Sequence, residues 1–227
     1  MSITIPTGDL TGILTDTIPF AFPKDDLPAL NVVRLEWDSQ ALHAITTDRH
    51  RLAWSTWEPG DLAFGEDAQD DLFTEWGSGD NPWRCTLQLA DAAEIAKVFK
   101  LGWKESRVPL TVDYEADRHR LTVKRTKETG HSAITISAED TFSDEFPDVR
   151  KLLAAADKLT ARRDIDYNAA YLADFAKVRP RGPLSMRHTK TLTHVSIGER
   201  FIGAIMPVAL RADEKPLRSA TGLHVSE

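Results

Sequence analysis

One cysteine, Cys85, is all that the 227 residues contain, so an internal disulfide is excluded and thiolates are too few for a zinc site. No apolar run approaches the roughly 18 residues that a membrane-spanning helix needs. The opening MSITIPTGDL lacks the basic-then-apolar layout of a secretory leader, and a cytoplasmic location is expected. The seven histidines (43, 50, 119, 131, 188, 194 and 224) form no H-x-H or HExxH pair, which leaves a metal site without support. Neither a Walker loop nor a G-x-S-x-G elbow is present. His50 near Asp48 is better read as a structural hairpin pair than as acid–base chemistry. No metal, cofactor or catalytic residue is therefore expected. Positive charge is also scarce. With 28 Lys and Arg against 35 Asp and Glu the net charge is −7, which argues against binding nucleic acid by general electrostatics. A local basic surface stays compatible with that total, because a field depends on where charges sit.

What is present is an ordinary globular balance, 41% apolar and 28% charged. Leu10, Ile13, Leu14 and Ile18 recur at helical spacing, with Thr7 or Asp9 as cap and Pro19 and Pro23 as stops. Val33, Leu35 and Trp37 alternate with Arg34 and Glu36, predicting a half-buried strand; strands over 41–46 and 51–57 follow. Residues 59–82 are acidic and rich in Gly, Asp and Pro, a connecting loop. The pattern then repeats. Leu89, Ala92, Ala93, Ala96 and Phe99 mark a helical face, and strands are expected over 108–114, 121–125 and 132–137. The segment 144–153 leaves the sheet. A third copy opens at Asn168, a good helix cap, with Leu172, Phe175 and Ala176 as apolar face and strands over 184–188, 191–197 and 200–208. Three helix-plus-strands units in one chain are the most informative feature of its organisation, and they predict an α+β fold. Most of the six tryptophans fall at strand or loop positions suited to core packing rather than to stacking on bases.

Three segments then carry a resemblance. Thr47-Asp48-Arg49-His50-Arg51-Leu52-Ala53 resembles the TDGHRLA corner of bacterial DNA sliding clamps, the beta subunit of the replicative polymerase. Glu145-Phe146-Pro147-Asp148-Val149-Arg150 is similar to that family's G-x-FPDYRR passage into the last domain. Ile205-Met206-Pro207-Val208-Ala209-Leu210 is similar to its terminal IMPMRL. Leu27–Asn31 and Asp166–Leu172 add weaker matches in family order. Two departures stand out: Arg49 replaces a glycine and Ala209 an arginine.

The resemblance implies a DNA clamp fold, with helices on one face of a continuous sheet. Residues 1–150 would be one complete domain of two half-units, 151–210 a truncated second, and 211–227 a flexible tail. It implies a peptide-binding groove of Thr47, Arg49, His50, Arg51, Leu52, Met206, Pro207, Val208 and Leu210, with His50 and Arg51 bonding the peptide. It implies phosphate contacts from Lys97, Lys100, Lys104, Arg107, Arg179 and Arg181. The implied partners are DNA polymerase and clamp loader, through short linear peptides, and duplex DNA without sequence preference. Too small to encircle DNA alone, the chain would act as a homo-oligomer, and its reduced size suggests a phage or mobile element. The competing expectation is a clamp-derived interaction protein that binds such peptides, or the host clamp, without encircling DNA.

Overall fold

A strand feeds the first helix, so the regular structure starts earlier than the helical spacing suggests. The computed structural model describes residues 1–59, 76–77, 79, 81–100, 106–127, 130–138, 145–156, 165, 167–179, 182–189 and 191–208. In β1 (Ser2–Pro6) Ile3 and Ile5 point into the core, and Pro6 directly precedes α1 (Thr7–Thr17). This helix is buried on nearly every side. Its threonines survive there because their hydroxyls bond back to carbonyls: Thr11 to Thr7 at 2.9 Å, Thr15 to Thr11 at 2.6 Å and Thr17 to Ile13 at 2.9 Å. The strands β2 (Val32–Trp37), β3 (Leu42–Thr47) and β4 (Arg51–Trp57) complete unit 1.

Unit 2 repeats the plan with β5 (Trp83–Gln88), α2 (Leu89–Val98), β6 (Pro109–Glu115), β7 (Arg120–Lys127) and β8 (Gly130–Ser137). The strand β5 stands where no strand was expected, and Ala93 is exposed while Ile95 takes the buried position on α2. A short helix, α3 (Val149–Ala156), forms in the segment that leaves the sheet. Unit 3 contains α4 (Ala169–Phe175), β9 (Leu184–His188), β10 (Thr193–Ile197) and β11 (Phe201–Ile205). Asn168 caps α4 as its sequence suggests, its Oδ1 accepting from the Ala170 N–H at 2.9 Å.

Units 1 and 2 exchange first strands. β1 of unit 1 joins the sheet β1-β6-β7-β8, and β5 of unit 2 joins the sheet β5-β2-β3-β4-β11-β10-β9. One core lies between the two, with Ile3, Ile5, Leu35, Trp37, Leu87, Leu110 and Val112 among its buried residues. Each such side chain stabilises the fold by about 1.5–3 kcal/mol through the apolar area it removes from water. Trp37, Trp57 and Trp83 are buried, as expected of core tryptophans. Unit 3 extends the second sheet through the antiparallel pair β4–β11, with Leu52 opposite Ala204 and Arg51 opposite Ile205. α1 packs on β3 and β4. α3 occupies the other face of that sheet, where Arg150 reaches Glu36 at 3.1 Å and lies over the Trp54 ring. Most of the 59–82 loop and all of the 211–227 tail lie outside the described residues.

Candidate functional site: a groove at the junction of two units

The β3–β4 corner is set by its own side chains. Asp48 Oδ1 accepts from the His50 N–H at 2.9 Å and the Arg51 N–H at 2.7 Å, and the Thr47 hydroxyl donates to the Arg51 carbonyl at 2.7 Å. This folding places Arg49 at φ 75°, in the left-handed region that favours glycine. The end of β11 is tied to the corner by the Met206 N–H, which donates to the His50 carbonyl at 2.7 Å. Strand pairing and corner together open a depression of about 380 Å³ on the sheet face opposite α1.

The lining mixes expected and unexpected residues. Thr47, Arg49, His50, Arg51, Leu52 and Met206 are brought together there, from segments far apart in sequence. Leu152 and Leu153 of α3, Leu192 of the β9–β10 corner, and Ala204 and Ile205 of β11 complete it. Leu52, Leu192 and Ala204 form a buried floor, while Leu152 and Met206 stand 49% and 47% exposed beside it. The surface is strongly apolar with a short polar edge, a form that takes apolar side chains and fixes their register by a few hydrogen bonds.

Two expectations need correction. Pro207 and Val208 do not line the depression, because the β11 ladder ends at Ile205 and the chain then leaves the sheet. Leu210 falls outside the described residues. Arg51 borders the groove, but its guanidinium is not aimed at an incoming peptide. Its Nε and Nη2 donate to Asp48 Oδ2 at 2.9 and 2.8 Å, Nη1 donates to Asp174 on α4, and Nη2 also reaches the Pro19 carbonyl at 3.3 Å. The Tyr171 ring covers it at 4.4 Å. Arg51 is thus a clasp between units 1 and 3. Burial disfavours the Asp174 carboxylate, but hydrogen bonds from Lys177 and Arg51, and then their charges, outweigh it and hold the carboxyl below its usual value. His50 and Arg49 are both exposed at the polar edge, and the His50 ring stacks on Tyr171 at 5.8 Å.

Of the basic residues expected on the helix side, four fall among the described residues, and they sit in different surroundings. Lys97 and Lys100 are exposed at the C-terminal end of α2, whose outer surface also carries Glu94. Arg107 is half-buried, and Lys104 and Arg181 lie outside the described residues. Arg179 lines a polar crevice with Asp9, Asp16 and Arg200, and its backbone N–H donates to Asp16 at 3.1 Å. Arg200 bridges to Asp9 at 3.2 Å. At that crevice charge joins α1 to unit 3.

The strand exchange, the repeated units and the continuous sheet across a junction define the α+β fold of the DNA sliding clamps. No family model matches the chain, and no curated protein matches it. Solved structures do. The beta subunit from DNA polymerase of Streptococcus pyogenes aligns with a TM-score of 0.64 at 13% identity, covering 100% of this chain and 68% of that one. The DNA polymerase III beta subunit from Thermotoga maritima gives 0.64 at 12% identity, covering 93% and 66%. A Pseudomonas aeruginosa sliding clamp bound to griselimycin gives 0.59 at 12% identity, covering 92% and 66%. The chain thus spans about two thirds of the length of the clamps it matches. No helix among the described residues is long and apolar enough to cross a membrane.

Proposed function

We propose that this protein is a clamp-like, non-enzymatic tether that holds DNA polymerase and other peptide-motif partners on duplex DNA. The observation that carries the reading is the junction groove, in which the Thr47–Leu52 corner and the end of β11 meet over an apolar floor. A partner captured there through a short linear peptide gains a high local concentration on its template. Leu52 and Met206 supply apolar contact, and Met adapts to varied peptides because its side chain is flexible and polarizable. His50 and Arg49 set register at the polar edge. Units 1 and 2 are read as one complete domain and unit 3 as the closing half of a second. Loader binding, cytoplasmic location and a phage or mobile-element setting belong to the same reading. Lys97, Lys100, Arg107 and Arg179, with Lys104 and Arg181, would be salt-sensitive phosphate contacts.

Titration of a fluorescent clamp-binding peptide tests the groove. Saturable binding is expected, weakened about tenfold by Met206→Ala or Leu52→Ala, the loss of one good apolar contact. A wild-type protein that does not bind removes the assignment.

A second reading, an interaction protein that binds such peptides or a host clamp without encircling DNA, is favoured by α1. That helix carries no basic residue, and its Asp9 and Asp16 face the crevice with Arg179 and Arg200. Salt-resistant retention on circular but not on linear DNA separates the two: a topological clamp shows it, and an interaction protein does not.

A further inference from the structure

α3 lines the groove with Leu152 and Leu153, so whatever fixes α3 also fixes the shape of the site. Its N-terminal end is anchored by burial. Phe146 and Val149 lie in one apolar cluster with Val32, Ile45 and Leu52, and Asp148 Oδ1 accepts from the Lys151 N–H at 3.0 Å. A second hold comes from Arg150, whose guanidinium lies 4.6 Å over the Trp54 ring and donates to Glu36 at 3.1 Å. Trp54 stands two residues from Leu52 on β4, on the same face of the sheet. A guanidinium over an indole face is a directional contact, so the place of Arg150 follows the place of that ring.

Trp54 is in turn fixed from β3. Its Nε1–H donates to His43 Nδ1 at 3.0 Å, and the two rings meet edge to face with centroids 5.3 Å apart. An indole N–H only donates, so His43 Nδ1 is the acceptor and the imidazole proton sits on Nε2, 3.2 Å from Asp38 Oδ2. The Thr56 hydroxyl lies 3.0 Å from the same Nδ1. A proton added to Nδ1 therefore finds an acceptor in Thr56 and ends the bond from Trp54. We propose that Trp54 is a positioning residue for the groove: it carries Arg150, and through it α3, and His43 holds it there only while the imidazole is neutral. The inference deepens the peptide-site reading and rests on it for the effect on affinity. Other charged groups surround the network: Glu36 stands opposite His43 on β2, Arg84 is next across on β5, and Arg150 reaches Glu36 from α3. Asp38 stays ionised in mild acid. Burial disfavours its carboxylate, but the N–H groups of Ala41 and Gln40, and then His43, outweigh it and hold the carboxyl below its usual value.

The test combines titration of the fluorescent clamp-binding peptide with hydrogen exchange of α3, at about pH 8 and about pH 5, the span in which histidine side chains titrate. His43→Asn is the reference at each pH, because its Oδ1 keeps an acceptor near the Nδ1 position and has no proton to gain. Relative to it, wild-type affinity is expected to fall about fivefold toward acid, and the Leu152 and Leu153 amides to lose protection. Trp54→Phe keeps a ring beneath Arg150 but has no N–H to lose, and should flatten the pH profile. Arg150→Gln removes the cation, so affinity should be about fivefold weaker at both pH values. The Trp54 indole N–H resonance, assigned by its loss in Trp54→Phe, should move with pH in the wild type and stay in place in His43→Asn. Identical pH profiles for wild type and His43→Asn overturn the proposal, as does α3 exchange that Arg150→Gln leaves unchanged. A wild type that binds no peptide at either pH removes the groove assignment instead. The exchange and resonance data need no peptide, and they then decide the positioning role by themselves.

Discussion

The two joins in this chain are built by opposite means. Units 1 and 2 meet by exchanging strands around a shared core, and Ile3, Ile5, Leu35 and Trp37 are buried within it. Units 1 and 3 meet edge to edge along β4–β11, and what reinforces the pairing differs between its faces. On the helix side, Phe20 packs on Phe175 at 4.8 Å and on Phe201 at 5.7 Å, with the Arg51–Asp174 and Arg200–Asp9 ion pairs beside them. On the other side, Leu52, Ala204 and Leu192 are only partly roofed by α3. A join made by strand exchange buries its shared core from both sides, because each unit closes over the other. A join made at one strand edge is held on one face and can stay open on the other. That is the physical reason the candidate site lies where it does.

Removing the aromatic anchor should break this contrast most strongly. Phe175→Ala is expected to cost about 3–5 kcal/mol, the usual loss for a buried phenylalanine. The damage should be local: amides of β9–β11 exchange faster, while those of β1 and β6 keep their protection. Uniform acceleration in hydrogen-exchange mass spectrometry would mean that both joins belong to one cooperative block. Arg51→Ala comes next, at about 3 kcal/mol, because it leaves Asp48 and Asp174 near each other without their shared cation. Urea midpoints measure it.

Acid should act on the second join before the first. Asp174 has its carboxyl pKa held below the ordinary 3.8 in the folded protein. Its contribution is therefore complete above the unfolded value and is lost as pH falls through the folded one. Stability should decline more steeply below pH 3.8 in the wild type than in Asp174→Asn, which starts lower. Parallel declines would show that the carboxylate contributes nothing to the join.

Much of this architecture is legible in the residues, and the exceptions have physical causes. β2 to β4 announce themselves because one face is buried and the alternation is long enough to see. β1 does not, since Ile3 and Ile5 are only two apolar positions running straight into a helix. β5 has Trp83, Cys85 and Leu87 in alternation, all buried, but the run is short and is squeezed between the acidic loop that ends at 82 and the helical pattern that opens at Leu89. The corner Thr47–Leu52 and Met206 are legible through their resemblance to the clamp motifs. Leu192 is not, because its place in the groove depends on the pairing of Leu52 with Ala204, a register that no local pattern encodes. In the sequence Arg51 shows only its charge; that Asp48 and Asp174 consume it follows from the folded corner and from α4, more than a hundred residues away. The covering Leu152 and Leu153 sit on a helix too short to show a clear period.

The smallest effect concerns Arg49. The β2–β3 corner is built in the same way as the β3–β4 corner: Asp38 Oδ1 accepts from the Gln40 and Ala41 N–H groups at 2.9 and 2.8 Å, and Ser39 has φ 78°. Both corners hold a non-glycine residue in the left-handed region, at a steric cost of roughly 1–2 kcal/mol. Glycine removes that cost but adds freedom to the unfolded chain. Arg49→Gly and Ser39→Gly should therefore each stabilise by about 0.5 kcal/mol. Only one of them touches the groove. If Arg49 shields the apolar floor, Arg49→Gly should tighten peptide binding while Ser39→Gly leaves it unchanged. If Arg49 instead engages the acidic end of a peptide, the same substitution should weaken binding, more so at low salt. Equal affinities for the two variants would mean that Arg49 serves the corner and not the ligand, leaving His50 as the polar edge of the site.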